Sequence, residues 1–166
     1  MANQTVTINH STIFNNTGYG IRNALGTTQL HNTIVASNGG LGTTKDINGT
    51  LNAASSYNLI GNGDSSGLTN GVNGNLLGTT GSLINAMLGV LQNNGGNTLT
   101  HLPSPGSPAI NTGNPAFIAP PTQDQRGTGF DRVFDSRLDI GAVEATETSL
   151  NLYLPIIVRA ASSDLN

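Results

Sequence analysis

Of the chain's six basic and nine acidic residues, eight fall between Asp124 and Glu144. They alternate in sign: Asp124, Arg126, Asp131, Arg132, Asp135, Arg137, Asp139 and Glu144. Two chemistries suit such a run. Guanidinium groups pair with carboxylates through two parallel hydrogen bonds, so the run reads as a structural network that pins one segment onto another. Asp124, Arg126, Arg137, Asp139 and Glu144 are the expected members of those ion pairs. Alternatively, hard carboxylate oxygens suit calcium, with Asp124, Asp131, Asp135 and Asp139 as ligands. No EF-hand spacing is present, and interleaved arginines repel a cation. The structural reading is therefore preferred, and no metal or cofactor is expected.

The rest of the chain offers little chemistry. Hydrolysis by paired carboxylates needs two acids within several ångströms. Before Asp124 the only acids are Asp46 and Asp64, both in turn-like contexts, with no Asp-Asp pair and no Gly-His-Gly. The expectation is a non-catalytic protein. His10, His31 and His101 are far apart in sequence. His10 and His31 lie nearly one repeat apart, so a metal pair is conceivable, but exposed corner histidines are the better reading. The net charge of −3 and pI near 5.3 leave no basic stripe for nucleic acid. Cysteine is absent. The apolar run Leu152–Val158 is too short to span a bilayer and contains Pro155. Met-Ala-Asn-Gln-Thr has neither the basic nor the apolar part of a signal peptide. The chain reads as starting inside a repeat, like a piece of a longer exported protein or a processed mature end.

Those charges need a scaffold, and its pattern is set early. Val6–Gly18 matches Thr28–Gly40 at an offset of 22, with Ile8 on Leu30, Ile13 on Val35 and Asn16 on Asn38. A looser copy follows at 24, placing Val35 on Leu59 and Asn38 on Asn62. Short alternating strands closed by Asn-Gly turns at such a period suggest solenoid rungs, none of which can bury its apolar face alone. Composition agrees: 36% hydrophobic but only 4% aromatic, which calls for thin aliphatic layers, and only 9% charged. Val6, Ile8, Ile13, Ile21, Leu30, Val35, Leu59, Leu76 and Ile110 should point inward. Asn16, Asn38 and Asn62 could stack as an amide ladder. Leu41–Ala54 reads as an excursion from the rung. The phrase Asn58-Leu59-Ile60-Gly61 returns as Asn75-Leu76-Leu77-Gly78. Leu83–Gln92 has helical apolar spacing and is the one stretch expected to form a short helix or turn.

The later motifs carry a resemblance. NLLG, then Leu88–Pro115 (LGVLQNNGGNTLTHLPSPGSPAINTGNP), DQRG (Asp124–Gly127) and RLDIGAVE (Arg137–Glu144) resemble the choice-of-anchor Q domains of bacterial surface proteins. The resemblance covers about Tyr57–Glu144 and implies the end of a right-handed parallel β-helix, exported and displayed at the cell surface, with no established catalytic activity. The chain departs from that pattern at Thr80-Gly81 and Asn93, where the family often has acids. The resulting expectation is an all-β, right-handed parallel β-helix solenoid over residues 1–100, an irregular C-terminal cap over 101–145, and an added C-terminal strand and tail over 146–166. In that strand Leu150, Leu152, Leu154, Ile156 and Val158 would drive assembly. The function expected is a secreted, extracellular, adhesin-like structural protein whose partner is itself, joined head to tail into a filament. A carbohydrate-binding module with a surface polysaccharide as partner is the alternative, and a polysaccharide-cleaving enzyme ranks third. Tyr19, Tyr57 and Tyr153 are too scattered to form a sugar platform, which favours the structural reading.

Overall fold

The computed structural model of the chain describes residues 4–39 and 46–145. These residues are all-β: β1 (Thr5–Asn9), β2 (Thr12–Phe14), β3 (Ile21–Arg22), β4 (Thr27–His31), β5 (Ile34–Ala36), β6 (Ile47–Asn48), β7 (Leu59–Ile60) and β8 (Leu76–Leu77), with a 3-10 turn at Val72–Gly74 and no α-helix among the described residues.

All named strand pairs are parallel. They form three sheets, β1-β4, β2-β5-β7-β8 and β3-β6, so the chain passes the same places repeatedly. Thr5 pairs with Thr27, Ile8 with Leu30 and Ile13 with Val35, all at the offset of 22 read from the sequence. Each pass turns its first corner through one residue of positive φ: His10 (48°), Asn32 (48°) and Tyr57 (53°). Asn tolerates that left-handed conformation, which explains why a short polar residue suits the second of these corners.

The next register differs from the expected one. Ile34 pairs with Leu59 and Val35 with Ile60, an offset of 25 rather than 24. A slip of one residue turns every side chain to the opposite face. Ile60 and Leu77 thus join Ile21, Leu30, Val35, Ile47 and Leu51 in one core to which all three sheets contribute. Leu59 and Leu76, expected in that core, face the other way, where Leu59 joins Ile34 and Ala36 in a second core and Leu76 packs against it.

That second core is closed by the C-terminal part of the chain. Ala86, Ala109 and Ile140 lie on Ile34, Ala36 and Leu59. The segment that follows β8 returns across the passes in reverse order. The Ile84 N–H donates to Gly61 O, the Ser107 hydroxyl to Ala86 O, and the Ile140 N–H to Ala109 O. Next, the Gly141 N–H donates to Asn32 O (2.9 Å), and the Ala142 N–H to the Thr12 hydroxyl (3.0 Å). Gly141 sits so close that a Cβ would lie 2.7 Å from Ile34 Cδ1 and 2.9 Å from Thr12 Oγ1. Its φ of 111° is also one that only glycine adopts without strain. The C-terminal part therefore covers the side of these passes that carries Ile34, Ala36 and Leu59. Parallel sheets are stable when both faces are buried, and the continuous apolar runs Ile34-Val35-Ala36 and Leu59-Ile60 fit such strands.

Three further expectations are corrected. Leu83–Gln92 is not a helix, because its backbone partners are distant: the Ser104 N–H donates to Met87 O and the Gly89 N–H to Leu102 O. Leu83 and Leu91 are exposed. The excursion after Leu41 is shorter than expected, since Ile47–Asn48 pairs with Ile21–Arg22. Val6 is 53% exposed and Ile110 is only half-buried, so neither joins a core.

The amide ladder is present with a substitution in it. The Asn16 side chain donates to Asn38 Oδ1 (2.8 Å), but the next rung is Asp46. Asp46 Oδ1 accepts from Asn38 N and Nδ2 (2.8 and 2.9 Å), and its Oδ2 accepts from Asn62 N (2.7 Å). Burial raises the Asp46 pKa, opposed by these donors. A second ladder stands at another corner, where Asn58 Oδ1 accepts from Thr33 N and Asn75 Oδ1 accepts from Asn58 N and Nδ2.

Candidate functional site

Much of the charged run folds into one buried cluster within the C-terminal cover. Asp124, Arg126, Arg132, Asp139 and Glu144 are all buried, whereas Asp131 and Asp135 are exposed. The Asp-Gln-Arg-Gly turn holds the first pair. Asp124 Oδ1 accepts the Arg126 N–H (2.7 Å), and Arg126 Nη2 lies 2.6 Å from Asp124 Oδ2. The Arg126 guanidinium also stacks 4.0 Å above the Phe130 ring and donates to Glu144 O. Arg132 forms the second pair, 3.2 Å from Glu144 Oε1, and Nη2 donates to Asp139 O and Gly141 O. Its Nε and Nη1 are buried without a hydrogen-bond partner among the described residues.

Expected ion-pair residues thus separate into two kinds. Asp124 and Arg126 meet as a pair, and Glu144 pairs with Arg132, which the sequence reading had not included among the pairs. Arg137 donates to the carbonyls of Gly113 and Thr112 instead of a carboxylate. Asp139 accepts backbone N–H groups from Asn111 and Ala145 (both 2.7 Å). The reason is topological: residues 111–113 come from the strip that covers the second core, and their carbonyls and N–H groups need partners there. The calcium set is not assembled, because Asp131 and Asp135 face solvent and the Asp124 oxygens are engaged by Arg126 and Glu144 N. Among the described residues no three His, Asp or Glu side chains are grouped to hold a metal ion. Leu150, Leu152, Leu154, Ile156 and Val158 lie outside the described residues.

Burial dominates the electrostatics. It pushes the Glu144 carboxyl up to about 8, against the pull of Arg132, and raises Asp139 in the same direction. Burial lowers Arg132, opposed by Glu144, Asp124 and Asp139. Burial thus favours the protonated form of Glu144 at neutral pH, against the pull of Arg132. Such a cluster holds chain segments together and carries a proton. It presents no nucleophile with a base beside it.

Beside the cluster lies a cleft of about 440 Å³ whose lining includes His10, Thr12, Gln123, Asp124, Gln125 and Arg132. His10 is half-buried rather than an exposed corner. Its ring stands edge-on to Phe117, and burial, then Arg132 and His31, lower its pKa to about 4. His31 Nδ1 lies 2.8 Å from the Ser56 hydroxyl, and His101 Nδ1 lies 2.7 Å from Gly89 O, so the three histidines have separate partners.

No family model, curated protein or solved structure matches this chain. No helix among the described residues is long and apolar enough to cross a membrane.

Proposed function

We propose that this chain is a non-catalytic structural element, a right-handed parallel β-helix displayed outside the cell, that associates with copies of itself. The supporting observation is the run of parallel pairings in which each pass lies on the one before, leaving β1 and β2 as edges. Unpaired strand edges invite another chain, and this surface has few charges to keep neighbours apart. The phrases Leu88–Pro115, DQRG and Arg137–Glu144, with their resemblance to choice-of-anchor Q domains, support a cell-surface location. The buried cluster serves this role as a clamp for the cover.

The test combines surface labelling of producing cells with sedimentation of the purified chain. Labelling of intact cells together with concentration-dependent association is expected. A chain found inside the cell, or one that stays monomeric at high concentration, would overturn this reading. The cleft beside His10 favours a second reading, binding of a surface polysaccharide, because it presents amide, hydroxyl and ring groups together. Calorimetric titration with acidic and neutral glycans tests it, and no heat with any of them would remove it.

A further inference from the structure

Among the described residues, the buried side-chain atoms that lack a hydrogen-bond partner lie together. They are His10 Nδ1, Arg132 Nε and Nη1, and Glu144 Oε1. Buried polar groups in folded proteins are nearly always paired, so an orphan calls for a physical reason. Glu144 Oε1 has one, because Arg132 Nη2 stands 3.2 Å away as its ion-pair partner. The other three atoms find none within the fold. They belong to two residues far apart in sequence, and both residues line the cleft of about 440 Å³.

Arg132 carries the argument. Its side chain is 1% exposed, yet only Nη2 is engaged, donating to Asp139 O at 2.9 Å and Gly141 O at 2.8 Å. The neighbouring carboxylates are committed elsewhere. Asp124 accepts from Arg126 N, Nε and Nη2 and from Glu144 N. Asp139 accepts from Asn111 N and Ala145 N, and Glu144 Oε2 from Asp139 N. Nη2 takes part in both forks of the guanidinium and is already occupied, so the remaining N–H groups need two separate acceptors. One acceptor with a negative charge also answers the cation, and such hydrogen bonds are the stronger kind. A single charge suits the place better than a double one, since Asp124, Asp139 and Glu144 all stand near Arg132. His10, neutral above about pH 4, supplies a ring nitrogen, and the Thr12 hydroxyl, which accepts the Ala142 N–H, keeps its own proton to donate.

We propose that this cleft binds a sugar acid, its carboxylate and a neighbouring hydroxyl taken by the two unpaired edges of Arg132 and by His10, whether the acid is free or part of a glycan. The cleft has the size of a small-molecule site, roughly 300–1,000 Å³. This deepens the glycan reading of the cleft and rests on it, and it is independent of self-association.

Calorimetric titration of the full chain with glucuronate, a uronate oligomer, acetate, glucose and a neutral glucose oligomer tests it. Glucuronate, the uronate oligomer or both should bind, at least tenfold more tightly than acetate or the neutral sugars. Binding of the monomer identifies a free acid as sufficient, and binding of the oligomer alone identifies a glycan. His10→Phe keeps the ring against Phe117 and removes no hydrogen bond of the ring within the fold, so it should weaken binding at least tenfold with unchanged circular dichroism. In the unaltered chain the Arg132 Nε–H signal in nuclear magnetic resonance should move during the titration, a readout that needs no variant to fold. Acidic binding that leaves both that signal and the His10→Phe affinity unchanged would overturn the assignment to this cleft. Neutral sugars bound as tightly as glucuronate would overturn the acid and leave the glycan reading standing. Acetate bound as tightly as glucuronate would overturn the role of the hydroxyl. No heat with any of the five would defeat this inference and the glycan reading together.

Discussion

Glu144 shows how a single buried carboxyl ties stability to pH. Its pKa rises from the ordinary 4.5 to about 8, so the folded form holds its proton more tightly than the unfolded one. That contribution is complete below pH 4.5 and is lost as pH rises through 8. His10 acts oppositely: lowered from 6.5 to about 4, it contributes stability above pH 6.5 that is lost as pH falls through 4. Melting temperatures measured from pH 4 to 9 should therefore fall on the alkaline side, and Glu144→Gln should flatten that fall between pH 6.5 and 8. Arg126→Ala strands the buried Asp124 carboxylate and leaves Glu144 O without its donor, a loss of about 3–5 kcal/mol by thermal unfolding. Asp46→Asn is nearly isosteric, yet both Asp46 oxygens accept N–H groups, and an amide NH2 would face one of them. The expected cost in denaturant unfolding is about 1–3 kcal/mol. The pairing of Asp124 with Arg126 and the place of Glu144 in an ion pair were readable from residue type, whereas the roles of Asp46 and Arg132 were not. Asp46 sits next to Lys45 in a stretch that looked like an excursion, and Arg132 was one of three similar arginines in an alternating run. What distinguishes it is the approach of Asp139 and Gly141 carbonyls, which only the folded path brings together.

The strands were legible where two passes have equal length. β1 and β4 each have five residues with the same alternation, so the offset of 22 could be read and their pairing follows it. Between Gly39 and Tyr57 the chain lengthens, and a repeat judged by Asn-Gly punctuation alone came out one residue short. The cost was the facing of Leu59 and Leu76. A better signal was available in the runs Ile34-Val35-Ala36 and Leu59-Ile60, since a strand with one wet face alternates and these do not. The second ladder was likewise announced by the repeated Asn58 and Asn75 phrase, although only its period was used. At this scale the second core should matter as much as the first. Leu59→Ala, in the second core and fully buried, should cost about 2–5 kcal/mol. Leu25→Ala, 95% exposed, should stay within about 0.5 kcal/mol in the same chemical unfolding series.

For the whole molecule, the cover and the passes share a core and should unfold together. Ending the chain at Thr80 would bare Ile34, Ala36 and Leu59 along the sheet β2-β5-β7-β8. That fragment should bind a hydrophobic dye and aggregate, whereas a chain ending at Ala145 should unfold in a single transition. A soluble, dye-silent fragment would mean that the passes stand without their cover.

The route of the cover also sets an order in time. Thr12 is made early and its partner Ala142 follows 130 residues later. At about 5–20 residues per second, the outer side of β5 waits several seconds for the strip that shelters it. During that interval the nascent chain displays an apolar ribbon with open strand edges, the kind of surface that holdase chaperones recognise and that neighbouring nascent chains can stick to. A protein built in this way should give more native material when translation is sparse than when many copies emerge together.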